Sequence, residues 1–186
     1  MAKRDINKSK LIWLDLEMTG LDPTTDKILE LALVVTDWQL QETGTLELVV
    51  KQPTEFVKKC FQASFWQEQS EVAAALLAQN ENGLPLEEVE DKIIQFVQQQ
   101  FSVDNPSGDI ILAGNTVRVD RAFVDEYLPR FAEYLHYRTL DVSSFKVLFD
   151  ARYGKIFPKA EDHRALSDIR GSIAELKYFM RFIKEK

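Results

Sequence analysis

The sequence predicts a three-layer α/β fold, with a central mixed five-stranded sheet flanked by helices. Three observations carry that expectation. Residues 11–17 read L-I-W-L-D-L-E, apolar almost throughout, as suits a central strand covered on both faces. Two more strand-like segments follow after short turns, which implies an antiparallel meander. Beyond them, helical apolar spacing alternates with two further strand-like segments, and strands that return through helices run parallel to the first.

Each element has its local signal. The turn after the first strand runs from Met18 to Asp26 and holds Gly20, Asp22 and Pro23, residues that favour reversals. Residues 27–36 (K-I-L-E-L-A-L-V-V-T) and 42–51 (E-T-G-T-L-E-L-V-V-K) supply the second and third strands. One or two helices are expected within 54–84, around Trp66 and the A-A-A-L-L-A run, with Gly83 and Pro85 ending them. Leu86, Val89, Ile93, Phe96 and Val97 then fall at helical spacing over 86–101. D-I-I-L-A at 109–113 is a short buried strand closed by Gly114 and Asn115. A helix over 119–135 follows, bent or split at Pro129. The fifth strand is placed at 137–142, a helix near 143–151, and a loop between Gly154 and Pro158. The last helix carries a stripe of Leu166, Ile169, Ile173, Leu176, Met180 and Ile183.

Composition narrows the class. A chain of 186 residues is the size of one domain, taken here as 1–186, with the basic, polar stretch 1–10 expected to be a flexible N-terminal segment. No apolar stretch follows that segment as in a secretory signal, and no run is long enough to span a membrane, so a cytoplasmic protein is the expectation. One cysteine, Cys60, excludes an intramolecular disulfide framework. The net charge of -7 argues against a protein that tracks long nucleic acid through a basic stripe. Bound divalent cations or a substrate with few phosphates would reconcile such a charge with nucleic-acid chemistry.

Acidic residues stand where a core strand should not carry them. Asp15 and Glu17 are two apart on the first strand and so share one face. Unpaired buried carboxylates are costly, and a metal is one way to hold them; an end of the strand in solvent is the other reading. Asp168 flanks the apolar stripe of the last helix, and His163 precedes that stripe on a loop or first turn. Alone, His163 also reads as a surface or capping histidine. Asp120 opens the helix after the D-I-I-L-A strand, where an acid suits a helix N-terminus in any case. Asp141 reads as an N-cap or a ligand.

Taken together, D-x-E on the first strand, an Asp after the G-N strand end and H-x4-D on the last helix resemble the DEDDh exonucleases. Four longer strings resemble the oligoribonucleases: W-L-D-L-E-M-T-G-L-D-P (13–23), A-G-N-T-V-R-V-D-R-A-F (113–123), H-Y-R-T-L-D-V-S (136–143) and H-R-A-L-S-D-I-R-G-S-I-A-E-L (163–176). The resemblance implies an RNase H-like fold and a homodimer that degrades short RNAs, down to dinucleotides, from the 3′ end. It implies Asp15, Glu17, Asp120 and Asp168 as ligands of two divalent ions, magnesium or manganese, with Asp15 shared between them. His163 is then the general base for the attacking water. Leu21 would wedge between bases, and Tyr137 of the partner subunit would stack on one. Thr116, Arg138 and Ser143 would hold the terminal phosphate. Without the resemblance, Leu21 reads as packing, Thr116 and Ser143 as caps, and Arg138 as a surface ion pair.

One lobe departs from that pattern. Relatives of this kind carry a Trp followed by H-x-x-S-G-L; here Trp66, also expected at the substrate, is followed by a longer stretch that reads N-E-N-G-L at 80–84. The only histidines are His136 and His163, so the histidine expected in that lobe is missing. The related alternatives are a DEDDh exonuclease acting on single-stranded DNA or on tRNA 3′ ends. A non-catalytic nucleic-acid-binding module is the reading from another class, and it would be favoured by loss of any of the five site residues.

Overall fold

The structure, a computed structural model, describes residues 6–7, 9–158 and 163–183. Of the stretch expected to be flexible, residues 1–5 and 8 lie outside that description, whereas Asn7 donates its backbone N–H to Asp109 O at 2.8 Å. The sheet has five strands: β1 (Lys10–Met18), β2 (Ile28–Asp37), β3 (Glu42–Val49), β4 (Ile110–Gly114) and β5 (Leu135–Asp141). Their order is β3-β2-β1-β4-β5, with β1, β2 and β3 antiparallel neighbours and β4 and β5 parallel to β1. This is the expected mixed sheet with β1 at its centre.

Between β3 and β4 stand α1 (Thr54–Cys60), α2 (Ser64–Glu68), α3 (Ser70–Asn80) and α4 (Leu86–Phe101). The lobe therefore holds three short helices before α4, where one or two were expected. After β4 come α5 (Arg118–Tyr127) and α6 (Pro129–Ala132), split at Pro129, which takes the first position of α6. The strand β5 begins at Leu135, so the helical spacing traced through 135 runs past its helix. Then follow α7 (Val142–Tyr153) and α8 (Ala165–Met180). No helix among the described residues is long and apolar enough to cross a membrane.

Strand alternation sorts the core into two faces. Ile12, Leu14 and Leu16 of β1 pack with Leu31 and Leu33 of β2 and the buried side of α4 and α5. Leu11 and Trp13 point the other way, into a cluster with Ala32, Val34 and the α8 residues Ile169 and Ile173. With a period of two, Asp15 and Glu17 continue the face of Leu11 and Trp13, toward α8. The fold thus aims both acids at the helix that carries Asp168. A third cluster, of Leu29, Val57, Phe61, Trp66, Ala73 and Leu76, seals α1 to α3 against the sheet.

The stripe of α8 ends earlier than its sequence period. Phe179 is buried, but Met180, the last residue of α8, is 47% exposed, and Ile183 lies beyond the helix end and is 45% exposed. Elsewhere close approach favours glycine: a Cβ on Gly83 would meet Lys51 N at 2.7 Å, and one on Gly114 would meet Leu14 O at 3.0 Å where β4 ends beside β1.

Candidate active site

Asp15, Glu17 and Asp168 come together at the C-terminal end of β1. Each offers a carboxylate oxygen, and the three atoms lie within 4.8 Å of one another. A register shift between Glu17 and Met18 ends the regular pairing with β2 just past the acids, a local bend of the sort that re-aims side chains at sites. Asp168 is in the first turn of α8 and accepts the Arg164 N–H on Oδ2 at 3.1 Å, so it also closes the start of its helix.

Asp120 reaches the same strand from the opposite side. Pairing of β1 with β4 is confined to Ile12 and Trp13, and beyond it the Leu16 N–H turns to Asp120 Oδ1 at 3.1 Å. The acid replaces a missing strand neighbour, which accounts for its near-complete burial in the first turn of α5. It is not one of the three mutually close carboxylates. Asp141 is the N-cap of α7, accepting Ser143 N–H at 2.9 Å.

Crowded charge shows in the acidities. Burial, then Asp168 and Glu30, push the Glu17 carboxyl up to about 8 from an ordinary 4.5, against the pull of Arg164. Burial likewise raises Asp120 to about 7, opposed by backbone hydrogen bonds including that from Leu16. The cation that lowers Glu17 is already engaged, because the Arg164 guanidinium lies on Glu30 at 3.0 and 3.3 Å. Three hard oxygen donors with so little cationic compensation fit a divalent ion.

The sign of the resulting pH dependence is fixed. A carboxyl raised in the folded state favours its protonated form, so stability is fullest below 4.5 and falls as pH rises toward about 8. Ion binding must release that proton. Metal-free protein should therefore melt at progressively lower temperature as the pH is raised through this window. The increase in melting temperature on adding manganese should grow over the same window. Thermal melts with manganese and with chelator across that range check both; a metal increment independent of pH would contradict the assignment.

His163 stands just before α8 with φ of +49°, a left-handed backbone that a non-glycine residue adopts at a cost. Its neighbours hold it there. Phe65 of α2, half exposed, meets the imidazole edge-on at 5.7 Å between centroids. Glu30 of β2 takes the Arg164 guanidinium and also the Ala165 N–H at 3.2 Å, an N-terminal cap supplied by a distant strand. Gln79 of α3 bridges this ion pair, accepting from Arg164 at 3.1 Å and donating to Glu30. Glu30 also faces Glu17 directly across the β1–β2 ladder, a like-charge pairing made tolerable by Arg164. None of Phe65, Gln79, Glu30 and Arg164 was singled out in the sequence.

A second group of expected residues gathers at the ends of β4 and β5. Thr116, also with positive φ at +50°, donates its N–H to Ser143 Oγ at 2.9 Å and to Asp141 Oδ1 at 3.0 Å. The two hydroxyls lie 3.1 Å apart. Arg138 stacks over the Tyr137 ring at 5.2 Å, and Tyr137 is 72% exposed on the edge strand β5. Leu21, 74% exposed, projects from the turn after β1. Trp66 is the exception. It is 4% exposed, packed on Phe61, and its indole N–H donates to Thr19 O at 3.1 Å. That hydrogen bond braces the turn carrying Leu21, while the ring also lines a surface pocket with Phe61 and Ala73.

Comparison with known proteins places this arrangement. A family model described as Exonuclease matches residues 12–176. The chain is 37% identical to the mitochondrial oligoribonuclease of Bos taurus, over 100% of this chain and 78% of that protein. It is 39% identical to the oligoribonuclease of Aliivibrio fischeri, over 96% and 97% of the two chains. Among solved structures, E. coli exonuclease I in complex with a dT13 oligonucleotide superposes with a TM-score of 0.64 at 16% identity. Exonuclease I from Methylocaldum szegediense gives 0.59 at 21%. Those matches cover 91% and 95% of this chain but only 40% and 41% of the exonuclease I chains, and they bear on the fold alone.

Proposed function

Since the chain belongs to the oligoribonucleases of the exonuclease family, we propose that it is a 3′-to-5′ exoribonuclease that hydrolyses short oligoribonucleotides, down to dinucleotides, to 5′-mononucleotides. The observation that carries the chemistry is the convergence of Asp15, Glu17 and Asp168, the last on the helix that His163 precedes.

In this reading Asp15, Glu17 and Asp168 hold divalent cation, magnesium or manganese, with Asp120 completing a two-ion site. Divalent ions held by these residues would supply Lewis-acid charge at the scissile phosphate and lower the pKa of bound water. His163 accepts the proton of the attacking water, the task of a positioned imidazole in general base catalysis. Leu21 parts the bases. Thr116, Arg138 and Ser143 meet the terminal phosphate, and Tyr137 of a second subunit stacks on a base. The exposure of Tyr137 on an edge strand supports a homodimer. A cytoplasmic location agrees with the lone cysteine.

The net charge of -7 favours short substrates over long ones. A dinucleotide releases few counterions, so stacking, the cations and one phosphate contact must supply its affinity. The experiment is a time course with magnesium on RNAs from dinucleotide to heptanucleotide, beside a long RNA and a single-stranded DNA. Short RNAs should be consumed fastest, with 5′-mononucleotides as products. Faster removal of nucleotides from the DNA or the long RNA would favour a related exonuclease of other substrate range.

A further inference from the structure

Glu175 of α8 is fully buried, at 0% exposure, and its Oε1 has no hydrogen-bond partner among the described residues. A buried carboxylate oxygen left unpartnered costs free energy that an apolar side chain of the same size would avoid. Its other oxygen, Oε2, accepts from Asn115 Nδ2 at 3.1 Å. The same Nδ2 donates to Ser172 Oγ at 2.8 Å, and Ser172 Oγ donates onward to Asp168 O at 2.9 Å. Both amide hydrogens of Asn115 are thereby used, and a carboxylate that only accepts fixes which end of the amide faces it. Asn115 Oδ1 must then face the other way, where it accepts the Ser143 hydroxyl at 3.2 Å. With its proton so directed, Ser143 Oγ presents lone pairs to the Thr116 N–H at 2.9 Å and stands beside the Thr116 hydroxyl.

We propose that Glu175, acting through Asn115, is a positioning residue that orients the Thr116–Ser143 pair and thereby sets the preference for substrates bearing a 5′-terminal phosphate. This rests on the reading that Thr116 and Ser143 hold the terminal phosphate. In 3′-to-5′ hydrolysis the 3′ end of each remaining fragment is a hydroxyl, so the terminal phosphate is the 5′ one. Glu175 touches neither substrate nor ions in this account. Its contribution is to keep the Asn115 amide from rotating, which would turn Nδ2 toward Ser143 and reverse the donor order at Thr116.

The test is the ratio of kcat/KM for a dinucleotide with a 5′-phosphate to that for the same dinucleotide with a 5′-hydroxyl, measured with magnesium. Glu175→Met removes both oxygens at similar volume and should lower the ratio about tenfold, the scale of one lost hydrogen bond. The loss should lie in KM for the phosphorylated substrate, with kcat and the hydroxyl substrate little changed. Melting temperature should be retained or raised, since the unpartnered oxygen is gone. Glu175→Gln, which keeps an acceptor for Asn115, should restore the ratio. Asn115→Ala should lower the ratio as Glu175→Met does, and the double variant should lose no more than either alone. Ser143→Ala separates the two levels. If it collapses the ratio while Glu175→Met and Asn115→Ala do not, the positioning role is wrong. If Ser143→Ala leaves the ratio intact, the terminal-phosphate reading fails first and the inference with it.

Discussion

Asp15→Ala should reduce dinucleotide hydrolysis by about a thousandfold or more if, as proposed, its carboxylate holds divalent ions that supply several kcal/mol of transition-state stabilisation. The side chain is half-buried on the central strand, beside Glu17 and Asp168. Removing one of three crowded acids relieves repulsion, so metal-free protein should melt no lower than the parent. Asp15→Asn, which keeps the shape, should behave alike. What both variants lose is the response to metal: the rise in melting temperature with manganese, and the heat of manganese binding by calorimetry. Unchanged manganese affinity in Asp15→Ala would refute its role as a ligand. A large fall in metal-free stability would instead mark Asp15 as structural.

Much of this site is legible along the chain because it depends on short-range rules. The two-residue step from Asp15 to Glu17 fixes a shared face, and the apolar residues before them fix which strand is central. The position of Asp168 beside Ile169, at the start of the apolar stripe, places it where α8 faces the sheet. What the sequence hides is what long-range contact decides. Glu30 looks like one polar interruption in an apolar strand, yet it anchors Arg164 across 134 residues and caps α8. Gln79 and Phe65 belong to the lobe of α2 and α3, and no local pattern links them to His163. Glu175 reads as one more acid on a helix, and only its burial among Asn115 and Ser172 sets it apart.

The same limit explains the fold-level differences. The A-A-A-L-L-A run is apolar all round its helix, so it carries little 3.6-residue contrast and does not show where α2 ends and α3 begins. Met180 and Ile183 keep the apolar period, but α8 ends at Met180 and both residues are exposed. Periodicity records what a helix is able to bury; the partner surface decides how much of it is buried.

His163→Ala should lower kcat for dinucleotides by roughly 10²–10⁴-fold, the usual contribution of a positioned general base. Its backbone makes the substitution more informative than most. At φ of +49°, alanine meets a left-handed conformation that costs roughly 1–2 kcal/mol for a residue without a local polar tip. Part of any stability loss is therefore backbone strain, not lost imidazole. His163→Gly relieves the strain, and His163→Asn occupies the left-handed region with a short polar side chain. All three variants remove the proposed base, so all three should lose turnover to a similar extent while their melting temperatures differ. Manganese affinity should survive in each, because His163 is not among the clustered carboxylates. Near-parental hydrolysis by His163→Asn, or recovery of turnover in whichever variant melts highest, would show that the segment's conformation rather than the imidazole carries the reaction. Loss of turnover that tracks side-chain identity, with metal binding intact, assigns the proton transfer to His163.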